Sequence, residues 1–489
     1  MQYLRFKFAN HFKKIIIGVL FLSGFFFATY KIDSTPHVWG DEGIFIQLGR
    51  TLVDHGLMTI PVAPNRFSDK PFLYSISTSY PVVLPVGIFM KIFGVGIVQA
   101  RAPMVIYLIG TLVGLYILGA HIYTSRISIL LLGIFVFFGP LYGNGKPVQG
   151  EVPAFFWFIW ACICFLRLKN NNKRSLFIFF GGFFLGLAGV AKIPFLPFVL
   201  LSWALFIIMV FRRSNWIKDF LSISFGLFIP VFLWVKLALP NISIENLSNI
   251  LSIINKFVTN GYQYNWFSSA IFFRDTTLLY FTFLTGMVII AFFLNSFSNI
   301  RKLDFEYKYI FGCFFIGFYW FFYWFVRSPG WLRYAFPFQL FVLFLLPFSI
   351  TTIVKYFNLK YILSSYFLIV VIFIHFCVLL NSFKNFHSTR IPIFLEENRK
   401  LFIDNKIVIG VYNFPEVAAF LPFSNLIQYV NILEPDGFNP IYFCVDYLIV
   451  DHAEGDVLKN ILSRYVQVNS IDQKIGVFKK LMTCKRAVP

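Results

Sequence analysis

Charge is scarce in this chain. Only 13% of its 489 residues are Asp, Glu, Lys or Arg, and acids supply just 22 of them against 42 basic residues. With 58% hydrophobic residues and a mean hydropathy of +0.73, too little polar side chain remains to cover a soluble globule. Cysteine is sparse as well, six in all. Cys162, Cys164, Cys313 and Cys377 fall in apolar runs and read as core packing, which excludes a cysteine metal framework. Cys444 and Cys484 lie in a more polar tail, where an oxidising compartment would permit a disulfide. No internal repeat or low-complexity linker stands out. The first apolar run has no small-residue cleavage site after it, so it is expected to act as an anchor and not as a removed signal.

What is abundant is apolar runs of 15 to 25 residues separated by short basic loops, the pattern of a polytopic α-helical membrane protein. The expected spans are 15–31, 101–120, 127–142, 152–167, 176–191, 194–211, 219–239, 276–295, 309–326, 334–350 and 360–380, about eleven transmembrane helices. In a soluble protein the formal charge of +20 would suggest a nucleic-acid partner. Here the cations sit in alternate loops, as the positive-inside rule requires, and nucleic acid is not expected. A cytoplasmic N-terminus puts Arg5/Lys7/Lys13/Lys14, Arg126, Arg167/Lys169/Lys173/Arg174, Arg212/Arg213/Lys218, Arg301/Lys302/Lys308 and Lys355/Lys360 inside. Residues 80–91 are too short and too proline-rich for a span. They read as an interfacial or re-entrant helix within a long first outer loop, 32–100. The membrane domain is expected over 1–389. Over 390–489 polar residues return, with strands expected at 406–412 and 446–451 and helices at 415–421 and 454–465, forming a small extracytoplasmic α/β domain.

With this topology the unusual polar motifs share the outer face. They are Asp41-Glu42, Arg66 to Tyr74 with Lys70-Pro71, Lys146 to Pro153 with Glu151, Ala191 to Pro194 with Lys192, and Arg327 to Tyr334 with Arg333. Carboxylates and cations gathered at one membrane depth suit a lipid-linked anion. Each also has a plainer explanation. Asp41-Glu42 can start a helix at the positive end of its dipole, as can Glu151. Lys70 and Arg333 can mark the water interface. Lys192, lone between two apolar helices, is the hardest to explain that way.

In order and spacing these motifs resemble the GT-C fold polyprenyl-phosphate-sugar-dependent glycosyltransferases. The lipid A aminoarabinose transferases and bacterial protein O-mannosyltransferase-like enzymes are the families concerned. The resemblance covers roughly residues 10–350. It is carried by Asp41-Glu42, Lys70-Pro71 with Gly94 and Arg101, Gly150 to Pro153, Gly186 to Lys192, and Arg333-Tyr334 with Pro337. It implies transfer of a sugar from a polyprenyl-phosphate donor to a hydroxyl of lipid A, a glycan, a wall polymer or a protein. The reaction would take place on the outer face of a bacterial inner membrane, by a single inverting displacement. Asp41 would be the base, with Glu42 and Glu151 positioning the acceptor or the base. Lys70, Lys192 and Arg333 would bind the donor phosphate, with Tyr334 adding a hydrogen bond or shaping the sugar pocket.

Glutamate stands in Gly-Glu-Val-Pro where many relatives have aspartate, and no Trp-Trp-Asp segment occurs. The outer loops hold no Asp-x-Asp motif either, so neither a metal nor any other cofactor is expected. A flippase for an anionic lipid-linked sugar would show paired repeats and helices broken at the midplane. An O-antigen ligase would carry a large arginine-rich late loop, which 240–275 is not.

Overall fold

The computed structural model describes residues 2–63, 66–68, 74–75, 77–170, 173–211, 215–238, 276–294, 305–327, 332–384, 407–412, 415–420, 426–429, 445–451, 455–470 and 475–481. Each apolar run folds as helix, because a backbone in hydrocarbon must satisfy its own hydrogen bonds. In chain order the helices are α1 (Gln2–Thr29), α2 (Gly40–His55), α3 (Tyr80–Phe93), α4 (Ile97–Ile122), α5 (Ser125–Val136), α6 (Gly139–Gly145) and α7 (Glu151–Leu166). They continue as α8 (Arg174–Ala191), α9 (Phe195–Val210), α10 (Trp216–Ala238), α11 (Thr276–Leu294), α12 (Phe305–Arg327), α13 (Leu332–Tyr356) and α14 (Ile362–Lys384).

Among the described residues six helices, α1, α4, α8, α10, α13 and α14, are each long and apolar enough to cross a membrane. The pair α5–α6, bent by 58°, raises the number to seven. Helices α3, α7 and α9 and the stretch Leu279–Leu294 are apolar but shorter. All eleven expected runs carry helix, while length and hydropathy by themselves qualify fewer crossings. The chain is a multi-pass membrane protein. Its bundle has an inside and an outside: 78% of the apolar window of α13 is buried against 17% of that of α1. Helix α13 is therefore central and α1 peripheral.

Contacts sort the helix ends into two groups. At one end the loop after α1, the start of α4, the loop before α7 and the α8–α9 turn converge, and the Trp320 indole of α12 donates to Pro194 O at 2.8 Å. At the other end Tyr307 donates to His121 O, and Arg174 pairs with Asp219 at 2.7 Å. Arg126, Arg167, Lys218, Lys308, Lys355 and Lys360 all flank helix ends of this second group. The basic loops thus lie opposite the polar motifs, as the charge pattern requires.

Residues 80–93 do form a helix, α3, and it packs against α2. The two backbones meet at Gly49 and Gly87, where a Cβ on either would overlap the other helix's carbonyl oxygen. That contact seats α2 beside the bundle. Two short strands, β1 (Pro61–Ala63) and β2 (Arg66–Phe67), pair antiparallel in the same loop.

The tail strands are β3 (Ile409–Tyr412), β4 (Leu426–Tyr429), β5 (Tyr447–Asp451), β6 (Tyr465–Ser470) and β7 (Ile475–Lys480), with helix α15 (Gly455–Arg464) between β5 and β6. They form one mixed sheet in the order β4-β3-β5-β7-β6, parallel across β4-β3-β5 and antiparallel beyond. Strand alternation gives the sheet two faces. Ile409, Val411, Ile449 and Val477 join the apolar core of the bundle. Tyr412, Leu448, Val450 and Phe478 pack on the opposite side with Ile461 of α15. A one-turn helix, Pro415–Ala419, lies on α2. The expected helix at 415–421 is this shorter 3-10 turn.

Candidate active site

Helix α2 begins at Gly40, so Asp41 and Glu42 occupy its first turn, where the helix dipole favours negative charge. The plainer explanation of the acid pair is therefore realised, and it is only part of the account. Adjacent residues on a helix point about 100° apart at 3.6 per turn, so the two side chains go different ways. Asp41 is half-buried. Glu42 is fully buried and takes both its oxygens to Arg101 of α4. Arg101 Nε donates to Glu42 Oε1 at 2.8 Å and its second guanidinium nitrogen to Oε2 at 2.7 Å. The Val148 N–H adds a third bond to Oε1 at 3.0 Å. Arg101 also donates to Ile32 O at 2.9 Å, and Lys146 Nζ donates to Tyr30 O at 2.7 Å. Carboxylate, guanidinium and ammonium thus pin the loop after α1, the head of α2 and the loop before α7 to one another.

Three residues after Val148 comes Glu151, the first residue of α7. Its Oε1 pairs with Lys192 Nζ at 2.9 Å, and Lys192 also donates to Ser77 Oγ at 2.9 Å. Lys192 caps the C-terminus of α8 in extended conformation and forms a single β-bridge with Thr78. The lysine that looks solitary along the chain has a carboxylate partner, supplied by a helix 41 positions earlier. Gly150 makes the approach feasible, since a Cβ there would overlap Ala191 O. Glu151 Oε2 is buried without a hydrogen-bond partner among the described residues. Three residues span at most about 10 Å, so the two buried ion pairs, Glu42–Arg101 and Glu151–Lys192, are neighbours.

Burial also marks cations to which the sequence reading assigned no role. Lys146 is pushed down to about 8, first by desolvation and then by Arg101. Arg50 of α2 is lowered to about 9 by burial, with Asp54 acting against the shift. Arg101 had a signal, as a charge at the head of an apolar run, and so had Lys146, which opens the polar run leading into α7; Arg50 had none beyond its type. From the tail comes Glu416, in the turn packed on α2. Its carboxyl is raised to about 7 by burial and then by Asp451, Glu42 and Asp41, while its own backbone hydrogen bond opposes the rise.

The structure therefore brings Asp41, Glu42, Glu151 and Lys192 to one end of the bundle. Lys70 lies outside the described residues, as do Cys444 and Cys484. Arg333 and Tyr334 open α13, but their side chains are outside the described set. Among the described residues no group of three or more His, Cys, Asp or Glu is arranged to hold a metal ion. A surface groove lined by Phe179, Asn215, Lys218 and Ser222 lies at the basic end and shares no residue with this site.

No family model matches the chain, and no curated protein matches it in sequence. Solved structures do. ArnT from Cupriavidus metallidurans bound to undecaprenyl phosphate aligns over 97% of this chain and 99% of its own, with a TM-score of 0.57 at 11% identity. The Archaeoglobus fulgidus oligosaccharyltransferase in apo form aligns over 98% and 76%, with a TM-score of 0.55 at 11% identity. The archaeal oligosaccharyltransferase AglB from Archaeoglobus fulgidus, complexed with an inhibitory peptide and a dolichol-phosphate, gives 0.52 at 10% identity over 99% and 75%. At such identities the likeness is one of architecture, and the chain has the GT-C membrane fold that ArnT and the archaeal oligosaccharyltransferase share.

Proposed function

We propose that this protein is a membrane glycosyltransferase that moves a sugar from a polyprenyl-phosphate carrier to a hydroxyl acceptor, on the outer face of the cytoplasmic membrane. The observation that carries the reading is the head of α2. Its Asp41 is held in place by the buried Glu42–Arg101 pair, within a fold whose solved examples hold undecaprenyl phosphate and a dolichol-phosphate. The separation of the basic helix ends from this site supports an extracytoplasmic location.

In the reaction the acceptor hydroxyl attacks the anomeric carbon and gives its proton to Asp41. The new C–O bond forms as the bond to the phosphate oxygen breaks, and the electron pair leaves on the polyprenyl phosphate. One displacement inverts the configuration. A positioned base contributes about 10²–10⁴ in rate. Glu42 serves by fixing α2 so that Asp41 is aimed before substrate arrives, since its own oxygens are committed to Arg101 and Val148. The leaving phosphate needs positive charge, which Lys70, Arg333 and Lys192 supply, with Tyr334 as a hydrogen-bond donor. Glu151 holds Lys192 in place and keeps one oxygen for a ligand hydrogen bond. No step passes through a metal.

The test is Asp41→Asn in purified protein reconstituted into lipid. The variant should insert, fold and bind undecaprenyl phosphate while transferring no sugar. Undiminished transfer would remove Asp41 as the base.

A further inference from the structure

The tail sheet is wider than its seat on the bundle. Residues directly opposite one another on paired strands share a face, so the pairings trace rows across the sheet. One row runs Ile409, Tyr447, Lys479 and Val466. The next runs Val411, Ile449 and Val477 and ends opposite Asn469. This face enters the core of the bundle, where Ile409, Val411, Ile449 and Val477 are buried and Tyr447 packs against them. Burial then stops. Lys479 is exposed, and on the edge strand β6 Val466 and Val468 are each 47% exposed. The outermost strand therefore overhangs the bundle, with Val466 and Lys479 side by side on the face turned toward it.

We propose that this overhang rests on the lipid surface beside the bundle, with Val466 at headgroup level and Lys479 against anionic headgroups. The bundle crosses a bilayer, and the tail is seated at the end that holds the polar site, through the turn on α2. A sheet face that covers that end and runs past it next meets the lipid around it. Valine beside lysine suits this boundary. The apolar group gains by leaving water, and the lysine stem lets its ammonium reach a phosphate. Neither row carries a carboxylate that would repel an anionic headgroup. A second chain adding to the free edge is the competing occupant. Against it stands the bulge between Gln467 and Asn469, where Val468 is the extra residue and the ladder is broken. Bulges and edge lysines are devices by which edge strands avoid further pairing. The seating does not depend on which group the site transfers.

The experiment places a photo-crosslinking side chain on each face of β6 in the full-length protein. Val466→p-benzoylphenylalanine probes the face turned to the bundle. Gln467→p-benzoylphenylalanine is the control, since Gln467 is also exposed but pairs with Phe478 on the opposite face. Both variants are reconstituted in phosphatidylcholine vesicles with or without phosphatidylglycerol, and a monodisperse peak on size exclusion is the folding control. After irradiation, adducts are identified by mass spectrometry. Phospholipid adducts are expected at 466 and not at 467. Phosphatidylglycerol should raise the yield at 466 about fivefold, which corresponds to the ~1 kcal/mol of one lysine near an anionic surface. Lys479→Gln should abolish that rise. A crosslinked dimer at 466 would assign the edge to a second copy and overturn the proposal. So would equal lipid yields at 466 and 467, or none at 466. A phosphatidylglycerol response that survives Lys479→Gln would remove the lysine from the contact.

Discussion

Removing Arg101 is the sharpest perturbation this structure offers. Its guanidinium and the Glu42 carboxylate are both fully buried, and they are joined by two charge-assisted bonds of 2.8 and 2.7 Å. Arg101→Ala leaves Glu42 bonded to the Val148 N–H and opens a cavity the size of the lost side chain. Breaking a buried pair from one side costs about 3–5 kcal/mol, because an uncompensated charge stays behind. Glu42→Leu should cost a similar amount, stranding Arg101 on Ile32 O. Replacing both, as Glu42→Leu/Arg101→Met, removes both charges and refills the volume, which in buried pairs is often neutral or better. It still orphans the Val148 N–H, for about 1–3 kcal/mol. The double variant should therefore be more stable than either single variant, with a coupling of at least about 2 kcal/mol. Unfolding in mixed micelles of increasing sodium dodecyl sulfate, followed by circular dichroism, measures it. Transfer should remain low in the double variant, because α2 then lacks the tie that aims Asp41. If the single costs add in the double variant, or each single change costs under about 1 kcal/mol, the pair is not the anchor described here.

Gly87→Ala and Gly49→Ala should each lower the yield of monodisperse protein on size exclusion, because a methyl there meets the backbone of the facing helix and neither helix can give way locally. Lys192→Met should destabilise by about 3–5 kcal/mol, leaving Glu151 charged and buried, and Glu151→Gln in the same chain should restore part of the loss. Docking of the tail should weaken with rising pH. Glu416 ionises near 7 when docked against about 4.5 in its ordinary state, so docking takes up a proton between those values and loses that gain as pH rises through the window. Hydrogen exchange over 415–419 between pH 5 and 8 reports it, and Glu416→Gln should flatten the response. A wild-type turn equally protected at both ends would contradict the raised carboxyl.

The amino-acid sequence by itself determined the class of molecule. Apolar runs in hydrocarbon have little choice but helix, and each expected run contains one. Alternate loops rich in lysine and arginine set the motifs apart from the basic end before any contact was known. The strand cores Ile409–Tyr412 and Tyr447–Asp451 were legible as short apolar runs between polar turns. Asp41-Glu42 was legible because acids are rare here and a pair of them after a span has to be accounted for.

Partnership was what sequence could not supply. Glu42 and Arg101 are 59 residues apart, and no local rule links a carboxylate in a loop helix to a guanidinium at the head of a span. Lys192 read as solitary because Glu151 reaches it only when α7 and α8 pack side by side at Gly150. Glu416 was one acid among several in a tail without motifs until its turn came to rest on α2. Local pattern depends on the neighbours along the chain, so periodicity and composition reveal helices and the end at which polar groups collect. Charge pairing and desolvation depend on distance through space. Only the packed bundle decided that Glu42 anchors, that Lys192 shares its charge with Glu151, and that a turn of the tail rests on the helix that carries Asp41.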